Sequence, residues 1–179
     1  MRSRCHQFGF VLLLLLIFVA CNTKPRQESR KVTPQQLLEM NKKMVGAESE
    51  VMDKYIADKA LEMQTSETGL RYMLDKTSNE PLIEVGDAVS LKYTTSLLNG
   101  TICYTSDKNG LMNFVVGKAQ VEAGLEEAIL MLAPNDKAKL IMPPYMAHGI
   151  AGDGNKIPKL AIIIMDIEVV EVHKAGDEE

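Results

Sequence analysis

The sequence predicts an α+β domain: an antiparallel β-sheet wrapped around one central helix, preceded by a helical extension. Three observations carry that expectation. Val121, Leu125, Ala128, Ile129 and Leu132 fall at i, i+4, i+7, i+8 and i+11, one apolar stripe at helical period. Short runs of β type flank this stretch on both sides, among them Ala88-Val-Ser-Leu-Lys-Tyr93 and Lys139-Leu-Ile-Met142, and the segment from Leu160 to Val172 alternates cleanly from Met165 onward. Asn99-Gly100, set between Leu97-Leu98 and Ile102-Cys103-Tyr104, is a hairpin signal, because both residues tolerate the positive φ of a tight turn.

In chain order, the first element is an export signal over residues 1–20. Arg2 and Arg4 give a positive start, and Phe8 to Val19 is an apolar run too short for a confident membrane span. Cys21 follows Leu16-Ile-Phe-Val-Ala20, which resembles a bacterial lipobox whose cysteine takes the lipid; Phe18 stands where a leucine-like residue is usual. Ordinary secretion with an unmodified Cys21 is the alternative. Residues 21–33 read as a polar tether. Thr33-Pro-Gln-Gln36 is a helix start with a capping box. One helix is expected from there to Gly46 and a second carrying Val51, Met52, Tyr55, Ile56 and Leu61, together a helical extension over 34–64. Its methionine-rich face suits a client or partner, but packing on its own domain or on a second copy is the plainer expectation.

The body spans 65–173. Strands are expected at 70–74, 88–93, around Ile102 to Tyr104, 114–116, 139–142 and 160–172, with Pro81 to Gly86 a loop. Glu122, Glu126 and Glu127 sit in the first half of the central helix, where carboxylates complement its dipole, and Pro134-Asn-Asp136 stops it. Residues 174–179 form an acidic tail.

Composition narrows the function. Without residues 1–20 the 20 basic residues become 18, against 24 acidic, so the charge is −6. Such a body lacks the basic footprint that nucleic-acid binding needs. With Cys5 lost and Cys21 lipidated, Cys103 has no partner for a disulfide, and it reads as a small apolar core or pocket residue. No ligand spacing surrounds His148, so neither metal nor cofactor is expected; it reads as a turn residue at a pocket mouth. Gly149 to Gly154 lacks the ending of a phosphate loop and is expected to be a flexible loop over the pocket.

Eight motifs then fall in register: Val89-Ser-Leu-Lys-Tyr93, Asn99-Gly100, Phe114-Val-Val-Gly117, Gly124-Leu-Glu-Glu127, Ala138-Lys-Leu-Ile-Met-Pro143, Met146-Ala-His-Gly149, Ile157-Pro158 and Met165-Asp-Ile-Glu168. In order and spacing they resemble the FKBP-type peptidyl-prolyl cis–trans isomerases, and with the extension and lipobox the chain is similar to exported FKBP-like lipoproteins of Bacteroidetes-type bacteria. The resemblance implies a dry apolar pocket that holds a proline ring and strips water from the preceding carbonyl. Amide resonance sets a rotation barrier of about 18–20 kcal/mol, and such a pocket favours the twisted, less polar amide. It implies catalytic roles for Tyr93, His148 and Ile157, with the Ile157 N–H on a peptide carbonyl. It implies substrate contacts at Cys103, Tyr104, Met112, Val121, Glu122 (a register one residue away is open), Leu125 and Met165. Leu125 falls where the family has its floor tryptophan, and Cys103, Met112 and Met165 where it has wall phenylalanines. His148 replaces a tyrosine and brings an imidazole, which ordinarily titrates near pH 6.5. The expected partners are proline-containing or unfolded exported proteins, a membrane through the lipid, and a second copy through the N-terminal helices. The expected place is the cell envelope, facing the periplasm. A non-catalytic FKBP-like binding module or chaperone is the second expectation, and a purely structural envelope lipoprotein the third.

Overall fold

The structure is a computed structural model that describes residues 32–176. The export signal, Cys21, most of the tether and residues 177–179 of the acidic tail lie outside the described residues.

Helix α1 (Pro34–Asp58) begins with the expected reciprocal cap. The Thr33 N–H donates to Gln36 Oε1 at 3.0 Å, and the Gln36 N–H donates to Thr33 Oγ1 at 3.2 Å. The helix does not stop at Gly46: one continuous element replaces the two expected. A mid-helix glycine costs only about 1 kcal/mol, and contacts within the compact unit beginning at Glu39 offset it. Met52 is fully buried against Ile141 and Ile164. The buried Arg71 guanidinium donates to Asp53 Oδ1 at 2.9 and 3.1 Å and to Ser49 Oγ at 2.6 Å. Met52 therefore packs on its own domain, while Met40, Met44, Val45 and Val51 remain exposed.

The sheet is antiparallel throughout. Its strands are β1 (Gln64–Thr65), β2 (Arg71–Asp75), β3 (Ala88–Leu97), β4 (Ile102–Thr105), β5 (Met112–Val115), β6 (Lys137–Met142) and β7 (Ile163–His173). The spatial order is β1-β2-β6-β7-β3-β4, with β5 also pairing β3. The Asn99-Gly100 turn closes as expected: the Leu97 N–H donates to Thr101 O at 3.0 Å, and Gly100 takes φ +86°. Period-two alternation sorts the long strands into two faces. Ala138, Leu140, Met142, Ile163, Met165, Ile167 and Val169 enter the main core, whereas Ile141 and Ile164 meet Met52.

After the one-turn helix α2 (Ser106–Asn109), the helix expected at 121–132 is shorter, α3 (Ala123–Ile129), but it buries most of the stripe that predicted it. Leu125, Ala128, Ile129 and Leu132 are all inaccessible to water. Gly124 lets α3 lie close on β6, since a Cβ there would come within 2.5 Å of Met142 Sδ. After the helix, buried Asp136 accepts from the N–H groups of Ala133 (3.0 Å), Thr77 (2.8 Å) and Ser78 (3.1 Å). Burial works to raise its pKa, but these donors outweigh it and hold the carboxyl below the usual range.

Candidate active site

Strand β5, the loop to α3 and the turn after β6 meet at a cleft of about 410 Å³ lined by Met112, Asn113, Gln120, Val121, Glu122, Ala147 and His148. Met112 arrives on β5, Val121 and Glu122 immediately precede α3, and His148 follows the 3-10 turn Pro144–Met146. Met112, Val121 and Ala147 also pack on the main core, so part of the cleft's lining is apolar. Gln120 is fixed at its rim, where its Oε1 accepts the Val115 N–H at 2.9 Å.

Four of the expected site residues thus come together: Met112, Val121, Glu122 and His148. Two belong to a polar contact that the sequence did not reveal. His148 Nε2 stands 3.1 Å from Glu122 Oε1, with the two side chains 26% and 15% exposed. The contact becomes an ion pair when the imidazole is protonated.

Four others are closed from water. Leu125, Met165, Cys103 and Ile157 are 0%, 1%, 3% and 3% exposed and belong to the main core. At Leu125, Met165 and Cys103, where the family resemblance implies large rings, the smaller groups lack the area that would reach a ligand, roughly 150–250 Å² for each large ring. The Cys103 thiol contacts the carbonyls of Lys156 (3.7 Å) and Thr101 (3.9 Å), and burial pushes its pKa up. Tyr93 packs against the same core and borders a second concavity, of about 280 Å³, with Lys92, Ser106, Asp107, Asp166 and Glu168 among its lining residues.

Ile157 requires a correction. Its N–H was expected to serve a peptide carbonyl, but it donates to Asp153 Oδ1 at 2.8 Å within the chain. Asp153 also accepts from the Asn155 N–H at 2.8 Å and, through Oδ2, from the Tyr104 hydroxyl. Burial acts to raise the Asp153 pKa, yet these hydrogen bonds prevail and hold it far below the ordinary carboxylate range. The same bond, first among the causes, pushes the Tyr104 phenol up. Asn155 Nδ2 donates to Tyr104 Oη at 3.3 Å, and Lys156 stands 4.7 Å over its ring while donating to Cys103 O at 2.8 Å. Tyr104 is therefore a structural anchor, and the glycine-rich loop expected to be flexible is tied down through Asp153. Gly152 is required in it, because a Cβ would come within 2.4 Å of Ile157 O.

A main-chain donor exists elsewhere. Glu122 O accepts the Leu125 and Glu126 N–H groups at 2.9 and 3.0 Å, but the Glu122 N–H has no acceptor among the described residues. Sequence reasoning missed this donor; the signal was its position just before the helix, where backbone N–H groups lack partners. Among the described residues no group of three or more His, Cys, Asp or Glu side chains is placed to hold a metal, and no helix is long and apolar enough to cross a membrane.

A sheet wrapped on one short helix, with a cleft at the start of that helix, defines an α+β domain of FKBP-like fold. The crystal structure of AtFKBP13 superposes on 63% of this chain and 99% of its own with a TM-score of 0.60 at 25% identity. Sequence then sets the family within that class. Residues 80–170 match the model of the FKBP-type peptidyl-prolyl cis–trans isomerases, and the chain belongs to this family. FK506-binding protein 2 of Dictyostelium discoideum is 32% identical over 59% of this chain and 78% of its own length. Its counterpart in Yarrowia lipolytica is 36% identical over 51% of this chain and 65% of its own. Peptidyl-prolyl cis-trans isomerase FKBP10 of Homo sapiens is 32% identical over 54% of this chain, but the match spans only 17% of that protein.

Proposed function

We propose that this chain is a peptidyl-prolyl cis–trans isomerase working at the Met112–Val121–His148 cleft, held to a membrane of the cell envelope through Cys21 and assisting the folding of exported proteins. The observation that carries the enzymatic part is the cleft, in a chain of this family, with apolar Met112 and Val121 in its lining and, on the lining residue Glu122, a main-chain N–H without an acceptor among the described residues. Its volume lies within the range of small-ligand sites, roughly 300–1,000 Å³. Met112 and Val121 would take the proline ring and exclude water from the twisting amide, and the Glu122 N–H would hold a neighbouring carbonyl. Because the amide loses conjugation as it turns, a surface that does not solvate its carbonyl binds the twisted form better than the planar one.

The anchored, folding-assisting role rests on the lipobox-like residues before Cys21 and on the polar stretch after it. The closed state of Leu125, Cys103 and Met165 favours a second reading, a binding module with slow or no turnover.

Isomerisation of Xaa-Pro peptides separates the two. Met112→Ala with Val121→Ala should lower kcat/KM about tenfold or more, the loss of roughly 1.4 kcal/mol of transition-state contact, while the melting curve stays cooperative. Wild-type turnover unchanged in the double variant would move the reaction away from this cleft, and no turnover in either would leave the binding module. Cys21→Ser should release the protein from the membrane fraction; retention there would defeat the anchor.

A further inference from the structure

The cleft carries one fixed negative group and no lysine or arginine in its lining. Glu122 is mostly shielded, its side chain 15% exposed, and the one titratable group beside it in the cleft is the His148 imidazole 3.1 Å away, charged only when protonated. Its second carboxylate oxygen has no partner among the described residues. One turn along α3, Glu126 Oε2 accepts the Gly117 N–H at 2.7 Å, and its Oε1 is buried with no hydrogen-bond partner. Two carboxylates thus sit at the start of α3, beside or behind the surface where Met112 and Val121 would receive a proline.

Seating a peptide over this surface removes the remaining water from Glu122. A carboxylate that loses water without gaining a counter-charge is penalised, whereas a cation within reach restores the balance. An apolar or acidic side chain next to the proline therefore meets a repulsive element, and a basic one meets a partner; discrimination comes from both. We propose, resting on the reading of this cleft as the prolyl site, that Glu122 is a specificity-determining residue and that the preferred substrates are prolyl segments with a lysine or arginine adjacent to the proline. His148 is a positioning residue that holds the carboxylate toward the cleft.

The test compares peptides carrying Lys, Leu or Glu before proline, and Lys after it, on the full mature chain, by isomerisation rate and by competition against a labelled Lys-Pro peptide in fluorescence anisotropy. Wild type should prefer one of the two lysine peptides over the leucine peptide by about fivefold at low salt, with the glutamate peptide last. That preference should shrink as ionic strength rises, because the attraction is Coulombic. In Glu122→Gln the lysine-to-leucine ratio should fall to about one. In His148→Gln, which keeps a hydrogen-bonding group beside Glu122 but no titratable ring, the lysine preference should persist. Equal use of lysine and leucine peptides by wild type overturns the proposal, as does a ratio untouched by Glu122→Gln. If no peptide is turned over, the isomerase reading fails, and the anisotropy ratio alone decides the preference; absence of binding to every peptide overturns both.

Discussion

The core base on which the cleft residues pack and the open rim of the cleft were one pocket by sequence, and they behave as two materials. That base is dry and closely packed: Leu125, Met165, Cys103 and Ile157 are at most 3% exposed, and none of them lines the cleft. The rim is open and polar, with Glu122 facing His148 and Gln120 pinned to strand β5. A family position becomes a binding group only if its side chain reaches past the packing of its neighbours. Where Leu125, Met165 and Cys103 stand at ring positions the side chain sinks into the core, whereas Met112 stays at the cleft. Where the side chain is that of His148 or Glu122, desolvation cost keeps it at the surface. The base should then govern stability, and the rim recognition.

The largest expected effect lies in the base. Leu125→Ala should destabilise the domain by about 3 kcal/mol through lost transfer energy and an unfilled cavity, read from urea denaturation. A loss below about 1 kcal/mol would mean that the base is loosely packed and open to ligand.

Asp153, which ties the glycine-rich loop to Tyr104, comes next. Asp153→Asn should cost about 1–2 kcal/mol, since Tyr104 and two backbone N–H groups lose a charged acceptor. The pH dependence has a fixed sign. A carboxyl whose folded pKa is depressed contributes stability that is present above the unfolded value, near 3.9. That contribution disappears as pH falls toward the folded value. The wild type should therefore lose stability in acid more steeply below about pH 4 than Asp153→Asn does, although Asp136 and Asp87, also depressed, keep part of the slope in both. Identical acid slopes would show that Asp153 is not held ionised by its bonds.

The smallest effect on stability belongs to the rim. His148→Ala should change the unfolding free energy by less than about 0.5 kcal/mol, as partly exposed pairs do, yet alter peptide affinity several-fold. A variant that unfolds instead would make the pair part of the core.

Most of the fold was legible because it rests on periodicity. The stripe on α3, the alternation in β7 and the Asn99-Gly100 turn each declare themselves within a few residues. The continuous α1 was not legible, because what carries it past Gly46 is remote: Met52 on Ile141 and Ile164, and Arg71 on Asp53. The site was half legible. Motif register located Met112, Val121, Glu122 and His148, but nothing in the sequence says that residues 122 and 148 meet. The Ile157 N–H looked free because its acceptor, Asp153, lies four residues back in a loop whose closure is set by Tyr104, far off in sequence. Depth was illegible altogether, since whether Leu125 lines a pocket or fills a core depends on the volume of every neighbour.

The central claim is that prolyl peptides engage the rim. Amide and methyl chemical shifts recorded while titrating the isotope-labelled mature chain with a Lys-Pro peptide test this most directly. Shifts concentrated at Met112, Val121, Glu122 and His148, with exchange between the cis and trans bound peptide, are the predicted result. Shifts concentrated instead at the concavity of Lys92, Ser106, Asp107 and Glu168, with the rim unmoved, would contradict it.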